Sequence, residues 1–164
     1  MRIRLSPARR GHIAEIDELN RKCLPENYSY KVLEQIVSAG LSHVAKHRNQ
    51  TIGYILIAKL DGEYTVVSLA VDPLYRRQSV GTRLLQLGIS QFKLKKSTSP
   101  DIGDLYLCVR VNNVAARTLY SRMGFIDVHD LPDYYSKPNE SGVKMVWIMS
   151  NQMDSDPKMD QFQI

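Results

Sequence analysis

At 164 residues the chain has the length of one domain, enough to bury a core without disulfide staples. Its composition, 43% hydrophobic and 24% charged, is that of a globular protein, and no apolar run approaches the ~18 residues a membrane span needs. The formal net charge of +5 favours an anionic partner, but the basic residues are scattered, so nucleic acid rests on charge alone while a phosphorylated small molecule explains it equally well.

Residues 2–5 read as a short strand. Ser6 then supplies a capping hydroxyl and Pro7 a first helical residue, so a helix is expected from there, with Ile13, Ile16 and Leu19 on its apolar face. It ends before Leu24-Pro25, because proline resists continuation. A second helix is expected over residues 29–39, with Val32, Leu33, Ile36 and Val37 as its buried stripe and Gly40 closing it. Residues 43–47 and 51–60 read as strands. Asp61-Gly62 is a hairpin turn, and residues 63–71 return as its partner. Asp72-Pro73 breaks that strand. Next come a helix over about 80–95, a strand over 105–111 and a helix capped by Asn113 and ended by Gly124. A short strand over 125–128 follows, then a loop through Pro132 and Pro138, and a last strand over 143–149. From Asn151 the chain turns acidic and polar and is expected to be a disordered tail. The N-terminus has no apolar signal stretch, and Cys23 and Cys108 lack metal-ligand spacing. Both thiols are expected to be reduced and buried in a cytoplasmic protein, with no metal site.

The most informative stretch follows the strand at Val71. Arg76-Arg77-Gln78-Ser79-Val80-Gly81-Thr82-Arg83 is a loop opening a helix. Backbone N–H groups at a helix start are unpaired and carry partial positive charge, which makes them a seat for phosphate. Ser79 and Gly81 are small enough for close approach, and the three arginines add charge. Downstream lies Asn112-Asn-Val-Ala115-Ala-Arg-Thr-Leu-Tyr120-Ser-Arg-Met-Gly124-Phe125.

The two motifs together, in that order of elements, resemble the GNAT superfamily of acyl-CoA-dependent N-acyltransferases over nearly the whole chain, residues 1–150 as one domain. A narrower resemblance, through Leu24-Pro-Glu-Asn-Tyr28, Ser68-Leu-Ala-Val71 and Tyr134-Tyr135, is to catalytic subunits of protein N-terminal acetyltransferases of the NatA type and of archaea. The resemblance implies an α/β (α+β) fold: a mixed, mostly antiparallel sheet flanked by helices, with a splay between the fourth and fifth strands. It implies acetyl-CoA as co-substrate, its pantetheine arm along Leu69, Ala70 and Val71, its pyrophosphate on the Arg76-to-Thr82 loop, and contacts from Asn112 and Ala115. Tyr120 would be the general acid at the sulfur. Glu26 would act as base through water and favour small first residues. Leu24, Pro25, Tyr28, Tyr134 and Tyr135 would bind the peptide. The implied activity is direct transfer of acetyl from acetyl-CoA to the α-amine of protein N-termini in a ternary complex, with an auxiliary ribosome-anchoring subunit as a possible partner. Alternatives are acetylation of a small-molecule amine and a non-catalytic CoA-binding module. Ser79 stands where the superfamily usually has glycine. Thr65 and Cys108 stand where related enzymes place a base.

Overall fold

The computed structural model describes residues 2–149. The acidic segment expected to be a tail lies outside the described residues. Seven strands form one sheet: β1 (Ile3–Pro7), β2 (His43–His47), β3 (Gln50–Leu60), β4 (Glu63–Val71), β5 (Leu105–Arg110), β6 (Ile126–Ser136) and β7 (Asn139–Trp147). Their spatial order is β1-β2-β3-β4-β5-β7-β6. Four helices connect them: α1 (Ile13–Cys23), α2 (Tyr30–Ser38), α3 (Val80–Thr98) and α4 (Val114–Arg122). The element order and the mixed, mostly antiparallel sheet are those expected from the sequence.

Strand alternation sends residues of β3 to two cores. Tyr54, Leu56 and Ala58 meet Ile13, Ile16 and Leu19 of α1 and Leu33, Ile36 and Val37 of α2 on one face. Ile55 and Ile57 meet Leu84, Leu85, Ile89 and Phe92 of α3 on the other. Gly88 lets α3 approach closely: a Cβ there would lie 2.9 Å from the Cδ1 atoms of both Ile55 and Ile57. Ser29 caps α2 by accepting from the Val32 amide at 3.3 Å. Val32 itself is 37% exposed, so the buried stripe of α2 is narrower than the sequence suggested.

Two other readings are corrected. Ser6 and Pro7 do not open a helix: they pair with Val44 and His43 as the last residues of β1. Pro7 is tolerated because it ends a strand on the sheet's edge. The helix begins with a short helical turn at Arg10–His12 instead. Residues 129–142 are not a loop but the body of a long β6–β7 hairpin. Register shifts between Asp127 and His129 and between Leu131 and Tyr135 absorb Pro132, and Asp133 takes φ of 50°. β6 is the other edge strand, where a bulge and a missing amide donor break little pairing.

The feature that makes a site is the parallel pair in the middle. β4 and β5 pair only at Tyr64–Leu105, Thr65–Tyr106 and Val66–Leu107. Beyond that row the strands diverge, so the splay expected between the fourth and fifth strands is present. A register shift in the β3–β4 ladder leaves Val67 without a β3 partner at the point where the gap opens.

Candidate active site

A cleft of about 940 Å³ occupies the divergence. Its floor is Thr65 to Leu69 of β4 and Cys108 to Arg110 of β5. Asn113, Ala116 and Tyr120 of α4 lie along one side, and residues 23–28 and 134–137 form the walls. Eight of the site residues expected from the sequence therefore meet here: Leu24, Pro25, Glu26, Tyr28, Tyr120, Tyr134 and Tyr135, with Leu69 on the floor.

The cofactor end is built from backbone. Beyond Val66, the edge of β4 that faced β5 has no strand partner, which leaves Leu69 and the Val71 amide open to an extended ligand, while the Val71 carbonyl is taken by the Arg76 and Cys23 side chains. β4 ends at Val71, and the carboxylate of the next residue, Asp72, accepts from the Leu74 amide at 3.0 Å and from Lys22 at 2.8 Å. Although burial pushes the other way, those two partners hold the Asp72 carboxyl below its usual range. The loop that follows is exposed at residues 76–79 and buries Val80. Arg77 and Ser79 both adopt φ of 61°, and Ser79 is the N-cap of α3 without a capping side-chain bond. The αL conformation costs a non-glycine residue about 1 kcal/mol, so the serine is strained where the superfamily uses glycine. Val80, Gly81 and Thr82 open the 19-residue α3 with amides free to hold an anion, while the Arg83 amide donates to the Ser79 carbonyl at 3.0 Å. Arg76 turns back, its Nε donating to the Val71 carbonyl at 3.0 Å. The Gln78 amide lies at 3.5 Å from the Leu74 carbonyl. An open strand edge leading to a cationic, donor-rich helix start fits a pantetheine arm and a pyrophosphate.

In the second motif the lining is one residue further along than expected. Asn113 and Ala116 line the cleft, whereas Ala115 is exposed and the Asn112 amide donates to Glu140 at 2.9 Å. The Asn113 side chain also caps α4, accepting from Ala116 at 3.2 Å. Tyr120 is 8% exposed, and burial alone pushes its phenol up to about 12.

The acceptor end is built from side chains. Tyr28 donates its hydroxyl to the Val67 carbonyl at 3.3 Å, at the irregularity in β4. Its amide donates to Asn20 Oδ1 at 3.4 Å, and Asn20 Nδ2 donates to Tyr54 Oη at 3.1 Å. Tyr54 reaches Ser68 Oγ at 3.1 Å, so a buried polar chain ties the α1–α2 loop to the cleft floor. Glu26 is ion-paired with Arg110 of β5. Arg110 also donates to Glu140 at 3.2 Å and to the carbonyls of Lys137 at 3.0 Å and Pro138 at 2.9 Å. The Tyr135 ring lies 4.3 Å from its guanidinium carbon. Tyr134 and Tyr135 pack edge to face at 4.9 Å. Burial pushes the Tyr28, Tyr134 and Tyr135 phenols up, and it raises the Cys108 thiol against a hydrogen bond with Tyr134.

Sequence reasoning passed over Arg110 and Glu140. The available signal was a lone charge at the end of the otherwise uncharged strand Leu-Tyr-Leu-Cys-Val-Arg. It also treated Cys108 as an apolar-strand residue, but its side chain shares the cleft-facing parity of Arg110. Among the described residues there is no cluster suited to a metal ion.

Comparison with known proteins places this geometry. Residues 13–125 match the model of the acetyltransferase (GNAT) family. The chain is 34% identical over 146 residues to an N-alpha-acetyltransferase of Saccharolobus solfataricus, covering 80% of this chain and 85% of that protein. It is 32% identical over 147 residues to the one of Sulfurisphaera tokodaii, covering 81% and 86%. In fold it is similar to a chain of the NatC complex bound to Gag peptide and CoA, with a TM-score of 0.81 at 23% identity over 92% of this chain and all of that one. The parted strands, the donor-rich helix start and these matches lead to one conclusion: the chain belongs to the GNAT family of acetyltransferases, with acetyl-CoA as its co-substrate.

Proposed function

We propose that this protein transfers acetyl from acetyl-CoA to the α-amine of protein or peptide N-termini by direct attack in a ternary complex. The observation that carries the reading is the acceptor end of the cleft. Its walls carry Glu26 and Tyr28 on one side and Tyr134 and Tyr135 on the other, which suits a chain terminus. The N-alpha-acetyltransferase names of the archaeal relatives point the same way.

The proton chemistry supports it. Acetyl-CoA supplies an activated acetyl thioester; this chain's residues must bind an amine that is already neutral. Thr65 is no base, the Cys108 thiol and the three wall phenols are pushed up by burial, and Glu26 is held by Arg110. An α-amine with pKa about 7.7 is neutral in roughly a sixth of molecules at pH 7. A lysine side chain at about 10.4 is neutral in roughly one of 2,500. A site without a strong base therefore serves N-termini and not lysines. Glu26 then acts on the amine as a hydrogen-bond acceptor, through water where needed.

Tyr120, the expected general acid, meets the cleft from α4 and serves the leaving sulfur as a hydrogen-bond donor. A thiol of pKa about 8.5 is a much stronger acid than a phenol held near 12. Tyr120 therefore donates a hydrogen bond to the developing thiolate, and the proton lost by the attacking amine is the one the thiol finally carries. Leu69 to Val71 seat the pantetheine arm, and residues 76–82 seat the pyrophosphate, with Asn112 and Ala115 beside the lining pair Asn113 and Ala116.

The charged wall at Glu26 disfavours a large apolar first side chain, so Ser, Ala and Gly termini are the expected substrates. The test is acetyl-CoA consumption with tetrapeptides varied at the first two positions. Ser, Ala and Gly termini should turn over at least tenfold better than Met-Leu. Acetylation of polyamines or aminoglycosides in preference to every peptide overturns the N-terminal reading. An auxiliary subunit that brings the enzyme to nascent chains is part of the same reading, supported by the NatC complex among the structural neighbours. No described helix is long and apolar enough to cross a membrane.

A further inference from the structure

We infer that Arg110 is the positioning residue of the acceptor site: it latches the α1–α2 loop to the β6–β7 hairpin, so that both walls of the peptide slot are set as one unit. The two walls are far apart in sequence. Glu26 is 84 residues from Arg110, and Glu140 is 30 residues beyond it. No backbone hydrogen bond among the described residues joins the walls to each other. The guanidinium joins them instead. One Nη group takes Glu26 and the Lys137 carbonyl, and the other takes Glu140 and the Pro138 carbonyl. Tyr135 covers the face of the same group at 4.3 Å, within cation–π range.

Three features make this a latch and not a surface ion pair. The Arg110 side chain is only 13% exposed and that of Glu140 only 16%, so this pair is little screened by solvent, while Glu26, at 37%, meets Arg110 from the rim of the slot. The Arg110 Nε–H is buried with no partner among the described residues. Leaving it so costs free energy, so the orientation is sustained by the four oxygens on the Nη groups. Those oxygens demand a planar fork, which lysine, a point charge, cannot supply. The opposite wall anchor, Tyr28 on Val67, holds only the β4 side of the α1–α2 loop. Arg110 holds its β5 side.

The inference is tested on the full chain with Arg110→Met, Arg110→Lys and Glu26→Gln. Hydrogen exchange, which needs no substrate, should be at least tenfold faster at the Tyr28 amide, which donates to Asn20, and at the Tyr135 and Ser136 amides in the strand paired with β7, in both Arg110 variants, with residues 69–71 unchanged. Wild-type protection of the Tyr28 amide in Arg110→Met overturns the latch. If the Arg110 variants exchange faster everywhere, Glu26→Gln decides: the Tyr28 amide must loosen while the rest of the chain does not, and its retained protection overturns the latch. The kinetic arm rests on the N-terminal acceptor reading. In Arg110→Met the KM for a Ser-terminated tetrapeptide should rise tenfold or more, with kcat within threefold and the KM for acetyl-CoA within twofold. Arg110→Lys should recover only part of the loss. A tetrapeptide KM within twofold of wild type, or equal rises in both KM values, overturns it. Should wild type acetylate no tetrapeptide, the functional reading falls and the exchange arm alone decides the latch.

Discussion

The two ends of one cleft are made of different material. At the cofactor end the groups offered to the ligand are main-chain ones: the unpartnered edge of β4 and the first amides of α3, with Ser79 holding a left-handed conformation at the turn. At the acceptor end they are side chains from four separate segments, held by the Tyr28–Asn20–Tyr54–Ser68 chain and by Arg110. The contrast follows from what each end must recognise. A diphosphate and an amide-bearing arm are the same in every turnover, and backbone dipoles suit them. A peptide terminus differs in its first side chain, and only side chains can select it.

The contrast can be broken experimentally, most severely at Tyr120, where the ends meet. Tyr120→Phe should lower kcat about 100-fold, the lower range for loss of a hydrogen-bond donor aimed at developing charge. Affinities for peptide and acetyl-CoA should stay within threefold by calorimetry. An unchanged kcat would remove the phenol from the chemistry. Gly142→Ala addresses the acceptor end alone. A Cβ there would lie 3.0 Å from the Tyr135 ring and 3.3 Å from the Val109 carbonyl, so the ring must move. Small misplacements of a positioning wall are costly, and peptide KM should rise about tenfold while acetyl-CoA binding holds.

The pH profile sharpens the comparison further. Burial raises the Cys108 and wall tyrosine pKa values, which moves their ionisation further from neutral pH. The acceptor's own α-amine, near 7.7, then sets the profile. Between pH 7 and 9 kcat/KM should rise about sixfold and level off, the neutral amine fraction rising from a sixth to nearly one. A continued tenfold rise per pH unit above 8 would mean that a different group is titrating. The smallest effect belongs to the cofactor end. Ser79→Gly relieves a left-handed residue but frees the unfolded chain, for a net gain of about 0.5 kcal/mol. Acetyl-CoA affinity should change less than threefold.

Much of this was legible in the chain itself. The Asp61-Gly62 turn, the periodicity of α1 to α4 and the caps at Ser29 and Asn113 are local matters, and each appears where its residues sit. Ser6-Pro7 misled because a cap-and-proline signature is local, whereas its pairing with Val44 and His43 depends on a strand nearly 40 residues away. Pro132 misled because a bulged edge strand and a loop have the same composition. Arg110 was passed over because its four oxygen partners come from residues 26, 137, 138 and 140, and nothing beside it in sequence announces them.

By itself the sequence determined the elements, their order and the donor-rich turn before α3, since these rest on propensity, periodicity and backbone groups a few residues apart. Only the tertiary structure decided that β4 and β5 part after three rows, that Tyr120 is sealed at the junction and that Arg110 binds both walls. Those outcomes depend on contacts between residues dozens of positions apart, where packing and the low dielectric of the interior determine which partners a side chain finds.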